Sequence, residues 1–126
     1  MVRILSVPLL LLVVAGTPAA LPNQNPATRV IEITAQRFEF WPSEIRVRED
    51  EPVELRVRSE DTIHGFRIIG VGINLIVPKR GKGDAVVTVT GMRPGRYTIE
   101  CNRMCGAGHN FMRASLVVRA APGATP

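Results

Sequence analysis

The sequence predicts an all-β protein, a Greek-key sandwich or barrel, on three observations. Apolar residues recur with a period of two in a succession of short stretches, turn-forming clusters separate those stretches, and nothing after the N-terminal leader has a helical period. Ile31 and Ile33 alternate with polar neighbours and mark the first strand. Beyond the Trp41-Pro42-Ser43 break come Ile45 and Val47, and beyond Glu49-Asp50-Glu51-Pro52 come Val53, Leu55 and Val57. Gly65-Phe66-Arg67-Ile68-Ile69 reads as an apolar strand preceded by His64. The turn Gly81-Lys82-Gly83-Asp84 introduces Val87 and Val89, and Gly91-Met92-Arg93-Pro94-Gly95 introduces Tyr97 and Ile99. Leu116, Val117 and Val118 form the closing strand. Many short strands of this kind are expected to pair antiparallel and bury alternate side chains in one core.

The two ends of the chain read differently. At 126 residues, 45% hydrophobic and 21% charged, there is room for one globular domain. Met1-Val2-Arg3 is a short positive segment, Ile4 to Ala15 is an apolar run, and Gly16-Thr17-Pro18-Ala19-Ala20 offers small residues for cleavage. Residues 1–20 therefore read as a signal peptide, so the protein is expected to be exported, to the periplasm or the outer face of the cytoplasmic membrane. The alternative is an uncleaved membrane anchor, because Ile4 to Leu21 supplies 18 mostly apolar residues, near the lower end of the roughly 17–25 that span a bilayer. Residues 21–28, with two prolines and no apolar period, read as a linker, residues 29–119 as the domain, and residues 120–126 as a flexible tail.

Sixteen basic residues against 11 acidic ones give a net charge of +5, which raises the question of nucleic acid. The pattern excludes it. Arg46, Arg48, Arg56, Arg58, Arg67 and Arg96 alternate with apolar positions as a solvated strand face does, and no aromatic platform stands among them. The surplus charge is expected instead to favour acidic redox partners over basic ones.

Chemistry concentrates in Cys101 to Met112, C-N-R-M-C-G-A-G-H-N-F-M. Two thiols, the imidazole of His109 and the thioether of Met112 make a set of soft and borderline donors that suits copper better than a hard cation. The only other histidine, His64 in D-T-I-H-G-F, is the candidate for the remaining strong ligand. Two alternatives stand beside copper. A Cys-x-x-x-Cys pair in an exported protein can close a disulfide, although so short a loop constrains the unfolded chain little. A two-Cys, two-His set also satisfies tetrahedral zinc, but leaves Met112 without a role. Asp61, three residues before His64, is either a solvated turn carboxylate or a group that orients the site. No Ser-His-Asp set, paired carboxylates or phosphate-binding glycine loop is present, so no independent catalytic site is expected.

The stretches F-E-F-W-P-S-E-I-R-V, D-T-I-H-G-F-R-I, I-N-L-I-V-P, P-G-R-Y-T-I-E-C and C-N-R-M-C-G-A-G-H-N-F-M-R-A-S-L-V-V carry a resemblance. From about Ile31 to Val118 the chain resembles the binuclear copper (CuA) domain of cytochrome c oxidase subunit II, a cupredoxin-like fold also found in nitrous oxide reductase. The resemblance implies that Cys101 and Cys105 bridge two copper ions, and that His64 and His109 each cap one. It implies that Met112 and the backbone carbonyl of Arg103 are weak axial ligands. It also implies electron transfer from a cytochrome c-like donor to an oxidase or other acceptor, with a haem-copper oxidase subunit I and a copper chaperone for loading as partners. The alternative is a copper-binding or copper-delivery protein without obligatory redox work. Many relatives carry Glu where Arg103 stands, and a cation there is expected to raise the reduction potential, with Arg113 contributing. The tryptophan-rich electron-entry stretch of many such subunits is missing, since Trp41 is the sole tryptophan, so Met104 and Phe111 become the expected apolar docking patch.

Overall fold

The computed structural model describes residues 27–125, so the expected signal peptide and most of the expected linker lie outside the described residues. Nine strands follow one another: β1 (Arg29–Gln36), β2 (Glu39–Trp41), β3 (Glu44–Arg48), β4 (Val53–Ser59), β5 (His64–Ile68), β6 (Ile73–Val77), β7 (Ala85–Val89), β8 (Gly95–Glu100) and β9 (Arg113–Arg119). They form a four-stranded sheet in the order β2-β1-β4-β7 and a five-stranded sheet in the order β3-β9-β8-β5-β6. The expected all-β sandwich is what the chain builds. The single helical element described is a 3-10 turn, His109–Phe111.

The antiparallel expectation needs correction at two ladders. β1 pairs parallel with β4, and β3 pairs parallel with β9, whereas the remaining pairs are antiparallel. The cause is the Greek-key path. After β2 the chain crosses to the second sheet for β3 and returns for β4, which therefore runs in the same direction as β1. Both parallel ladders set inward residues side by side: Ile31 with Leu55 and Ile33 with Val57, Ile45 with Leu116 and Val47 with Val118. A slip of one residue would turn each apolar row to solvent, so burial itself fixes the register.

The period-two rows meet between the sheets. Ile33, Ile45, Val47, Val53, Leu55, Val57, Val89, Ile99, Leu116 and Val118 are all buried, joined by Phe40 and Phe66. Those two rings pack edge to face with centroids 5.5 Å apart, the geometry their quadrupoles favour. Val117, in contrast, is only half-buried, because the strand alternates and its neighbours hold the inward places. β2 escaped the sequence reading since it is three residues long and buries only Phe40.

The outward arginines are matched by carboxylates. Arg46 and Arg96 pair with Glu44, Arg48 with Asp50, Arg56 with Glu54, Arg58 with Asp84 and Arg67 with Glu100. Exposed pairs of this kind add little stability, but they offset the positive charge of the outward strand faces.

Replacing Phe66 by Ala is expected to cost about 3–5 kcal/mol, since the ring is fully enclosed and its removal leaves a cavity against Phe40. Urea denaturation at equilibrium would register this as a lower midpoint with an unchanged slope.

Candidate metal centre

The site forms where two strand ends meet. β8 and β9 are a hairpin whose last registered pair is Glu100 with Arg113, and the Cys101 N–H donates to the Met112 carbonyl at 3.1 Å, closing the connection. Cys101 to Met112 is thus a loop held tightly at its base. β5 lies on the other flank of β8, pairing Arg67 with Glu100 and Ile68 with Ile99. Continued in the same antiparallel direction, that register carries the start of β5, and with it His64, to the loop.

Gly65 is what lets the two backbones close. A Cβ there would fall 2.1 Å from Asn102 Oδ1 and 2.9 Å from the Arg103 nitrogen, both impossible contacts. With no side chain in the way, the Gly65 N–H approaches Cys101 Sγ at 3.4 Å. Asn102 in turn donates from Nδ2 to Asn74 Oδ1 at 2.9 Å, tying the loop to β6.

Every residue singled out in the loop sits at this pole. Both cysteines are free and buried, with sulfurs 3.7 Å apart, well beyond the roughly 2 Å of a disulfide. Cys105 Sγ stands 3.7 Å from His109 Nδ1 and 3.9 Å from Met112 Sδ. On the other side, Cys101 Sγ lies 3.1 Å from the Arg103 carbonyl oxygen. A nitrogen of His64 and the two sulfurs all lie within 4.8 Å of one another. His109 falls outside that mutual group and touches it through Cys105 alone. Met112 is fully buried just before β9, while Met104 and Phe111 are 76% and 83% exposed on the same loop.

Asp61 is the orienting group, not a solvated turn carboxylate. Its Oδ1 lies 2.6 Å from His64 Nε2, and its two oxygens also accept from the N–H groups of Arg37 at 2.9 Å and Thr62 at 2.7 Å. Burial works to raise the Asp61 carboxyl, but the His64 ring and those two N–H groups outweigh it and hold the carboxyl below the usual carboxylate range. Asp61 is thus placed to accept from Nε2–H, the tautomer that leaves the lone pair of His64 Nδ1 free for a metal. That atom is buried and has no hydrogen-bond partner. Cys105 is shifted in the opposite direction. Burial pushes its thiol up to about 11, and the neighbouring Cys101 sulfur adds to the rise, so the pocket without metal favours the neutral thiol.

A buried, partnerless imidazole nitrogen is an anomaly in a folded protein, and a metal removes it. Metal–thiolate bonds of about 2.3 Å let one ion touch both sulfurs at their observed separation. The donor set of two thiols, two imidazoles and a thioether fits a soft or borderline metal. A cleft of about 330 Å³, lined in part by Cys101, His109 and Met112, opens onto the loop from solvent.

Fold and site together describe a cupredoxin, and the family model described as "Cupredoxin-like domain" matches residues 6–118. A cytochrome c oxidase subunit 2 of Thermus thermophilus is 33% identical over 107 residues, covering 83% of this chain and 76% of the relative. A second subunit 2 from the same species is also 33% identical, with 83% of this chain and 61% of the relative covered. Among solved structures, the periplasmic domain of subunit II of the cytochrome oxidase of Bradyrhizobium japonicum superposes with a TM-score of 0.64 at 17% identity, covering 73% of this chain and 84% of that one. The chain belongs to the cytochrome c oxidase subunit II family.

Asp61→Asn keeps the shape and removes the charge that holds His64. The carboxyl is depressed on folding, so its contribution is present in full above the unfolded pKa of about 3.9 and is lost as pH falls through the lower folded value. The metal-free variant is expected to be less stable than the native protein at pH 7, with the gap closing below about pH 4; denaturation midpoints measured from pH 7 to pH 3 would check this.

Proposed function

We propose that residues 29–119 form an electron-transfer domain built on two copper ions, Cys101 and Cys105 bridging them and His64 and His109 each holding one. Met112 Sδ and the Arg103 carbonyl oxygen would be the weaker donors, standing 3.9 Å from Cys105 Sγ and 3.1 Å from Cys101 Sγ. Membership of the subunit II family and the His64, Cys101 and Cys105 group support copper and electron transfer. The two-ion form is supported by one observation above others: two free, buried sulfurs stand 3.7 Å apart, with a nitrogen of His64 within 4.8 Å of both and His109 Nδ1 3.7 Å from Cys105 Sγ. When bound, the copper pair supplies a single electron shared between two metals.

The chain's own residues supply the rest. Asp61 fixes the ring of His64, the hairpin base fixes Cys101 and Met112, and the sheets hold both against rearrangement. Cys105 must lose its proton to bind, against the burial that raises it, so loading releases protons and requires the thiol pair in its reduced state. A copper chaperone and a thiol reductant are the corresponding partners outside the cytoplasm. A leader in residues 1–20, cleaved or kept as an anchor, would place the domain in the periplasm or on the outer face of the cytoplasmic membrane. The acceptor is a haem-copper oxidase subunit I.

The donor, cytochrome c-like, would dock on the exposed Met104 and Phe111. Cys101 to Arg113 contains no acidic residue, and among the described residues neither Arg103 nor Arg113 forms an ion pair. An acidic rim around the donor's apolar contact is the complement.

Metal analysis with electron paramagnetic resonance on the reduced, copper-loaded protein tests the centre. Two coppers per chain sharing one unpaired electron, with strong thiolate-to-copper absorption, are expected, and Cys105→Ser should abolish the shared signal. A single colourless Cu(I) would overturn the two-copper carrier in favour of copper delivery.

Replacing both Arg103 and Arg113 by Gln should slow reduction by an acidic-rimmed cytochrome several-fold at low ionic strength and flatten the salt dependence. The Arg103 change alone should lower the reduction potential, because a nearby cation favours the less positive, reduced centre. Stopped-flow traces across a salt series and potentiometry read the two effects.

A further inference from the structure

The turn between β1 and β2 lies against the ligand loop, and the ligand set does not account for its contacts. Arg37 donates from Nε to the Cys105 carbonyl oxygen at 2.6 Å, bridging residues 68 apart in sequence. Its own N–H donates to Asp61 Oδ2 at 2.9 Å, and Oδ1 of that carboxylate is the atom 2.6 Å from His64 Nε2. Phe38, the next residue, lays its ring over the Gly106-Ala107-Gly108 step. A Cβ on Gly108 would fall 2.3 Å from Phe38 Cδ2, and one on Gly106 would fall 2.9 Å from Cε1 and Cζ. Two consecutive residues therefore touch both halves of the site, and neither is a ligand.

Cys105 is the hub of the cluster: its sulfur neighbours Cys101 Sγ, His109 Nδ1 and Met112 Sδ. The loop that carries it is long for a hairpin connection and contains one 3-10 turn as its only regular element, so its interior needs an outside anchor. Its base is held by the Cys101–Met112 backbone bond and its near side by Asn102 with Asn74. The guanidinium bond is the one that reaches the peptide of Cys105, and a bond with a charged donor is stronger than a neutral one.

We propose that Arg37 is a positioning residue of the metal centre, joining Cys105 through its side chain to His64 through its backbone and Asp61, so that the cradle stands preformed before metal arrives. Fixing a ligand set in advance lowers the ordering cost of binding. Of the two arms, only the side-chain arm can be removed by substitution at residue 37. The Asp61 arm survives, and a specific rather than global effect follows.

The inference rests on the two-copper centre for its loaded readouts only, and the metal-free readouts stand without it. Arg37→Met removes charge and donor, Arg37→Lys keeps the charge and a donor, and Arg46→Met serves as an outward-facing control paired only with Glu44. In the reduced, metal-free protein, hydrogen exchange of the backbone amides of Cys105 to His109, read by peptide mass, is expected to speed up about tenfold in Arg37→Met. Arg37→Lys should recover part of the protection and Arg46→Met should match the native rate, all at similar denaturation midpoints. In the copper-loaded protein, Arg37→Met should shift the copper hyperfine pattern and release copper to a chelator several-fold faster. Native exchange rates together with native spectra in Arg37→Met would overturn the proposal. If that variant does not fold, the same two readouts on Arg37→Lys and Arg37→Gln decide it, native behaviour in both being the refuting result. A native protein that binds one copper would instead strike the two-copper centre and leave the exchange result to judge Arg37.

Discussion

The antiparallel pairing of β5 with β8 is the constraint on which the site depends. Arg67 against Glu100 and Ile68 against Ile99 set a register that leaves His64 at the lip of the loop, though it lies 37 residues before Cys101. The pairing is maintained from below by Phe66, Ile68 and Ile99, all buried in the common core. Hydrophobic burial thus sets the position of a candidate metal donor at the far end of the same strand. Gly65 is the local condition for it, since any side chain there would drive the loop backbone away.

Around that register the polar groups form one connected set. Asp61 takes a ring N–H and two backbone N–H groups, which keeps it ionised and keeps His64 in one tautomer. The surroundings of the thiols act in the contrary sense, burial raising Cys105. The pole therefore combines a fixed anion with a neutral sulfur, and a cation entering it meets a carboxylate already charged and a thiol that must become so.

Much of this was legible in the chain. Period-two alternation located β1, β3, β4, β7, β8 and β9, because those strands have one face in the core and one in water. The loop from Cys101 to Met112 was legible because sulfur and imidazole donors are few, and the two cysteines and one of the two histidines fall within nine residues of each other. β2 and the two parallel ladders were not, since a three-residue strand has too few positions to show a period and strand direction is set by crossover path. The role of Asp61 was only half legible, because a carboxylate three residues before a histidine has no signature of its own in sequence. Arg37 gave no signal, and Phe38 gave only its place in F-E-F-W-P-S-E-I-R-V. They act through contacts with residues 105 to 108, and only the folded chain brings those together. The glycines of G-A-G were visible, but the ring that requires them was not.

The partnerless nitrogen of His64 would tie the folded state to any metal bound there. An unsatisfied buried polar atom costs on the order of 1–3 kcal/mol, and a ligand that binds only the native chain repays that through mass action, about 4 kcal/mol at a thousandfold excess over its dissociation constant. Chains that have met their metal and chains that have not then differ in how often they open, and proteases sample the open form. Supply of the ion would in this way govern how many copies persist, without any dedicated sensor.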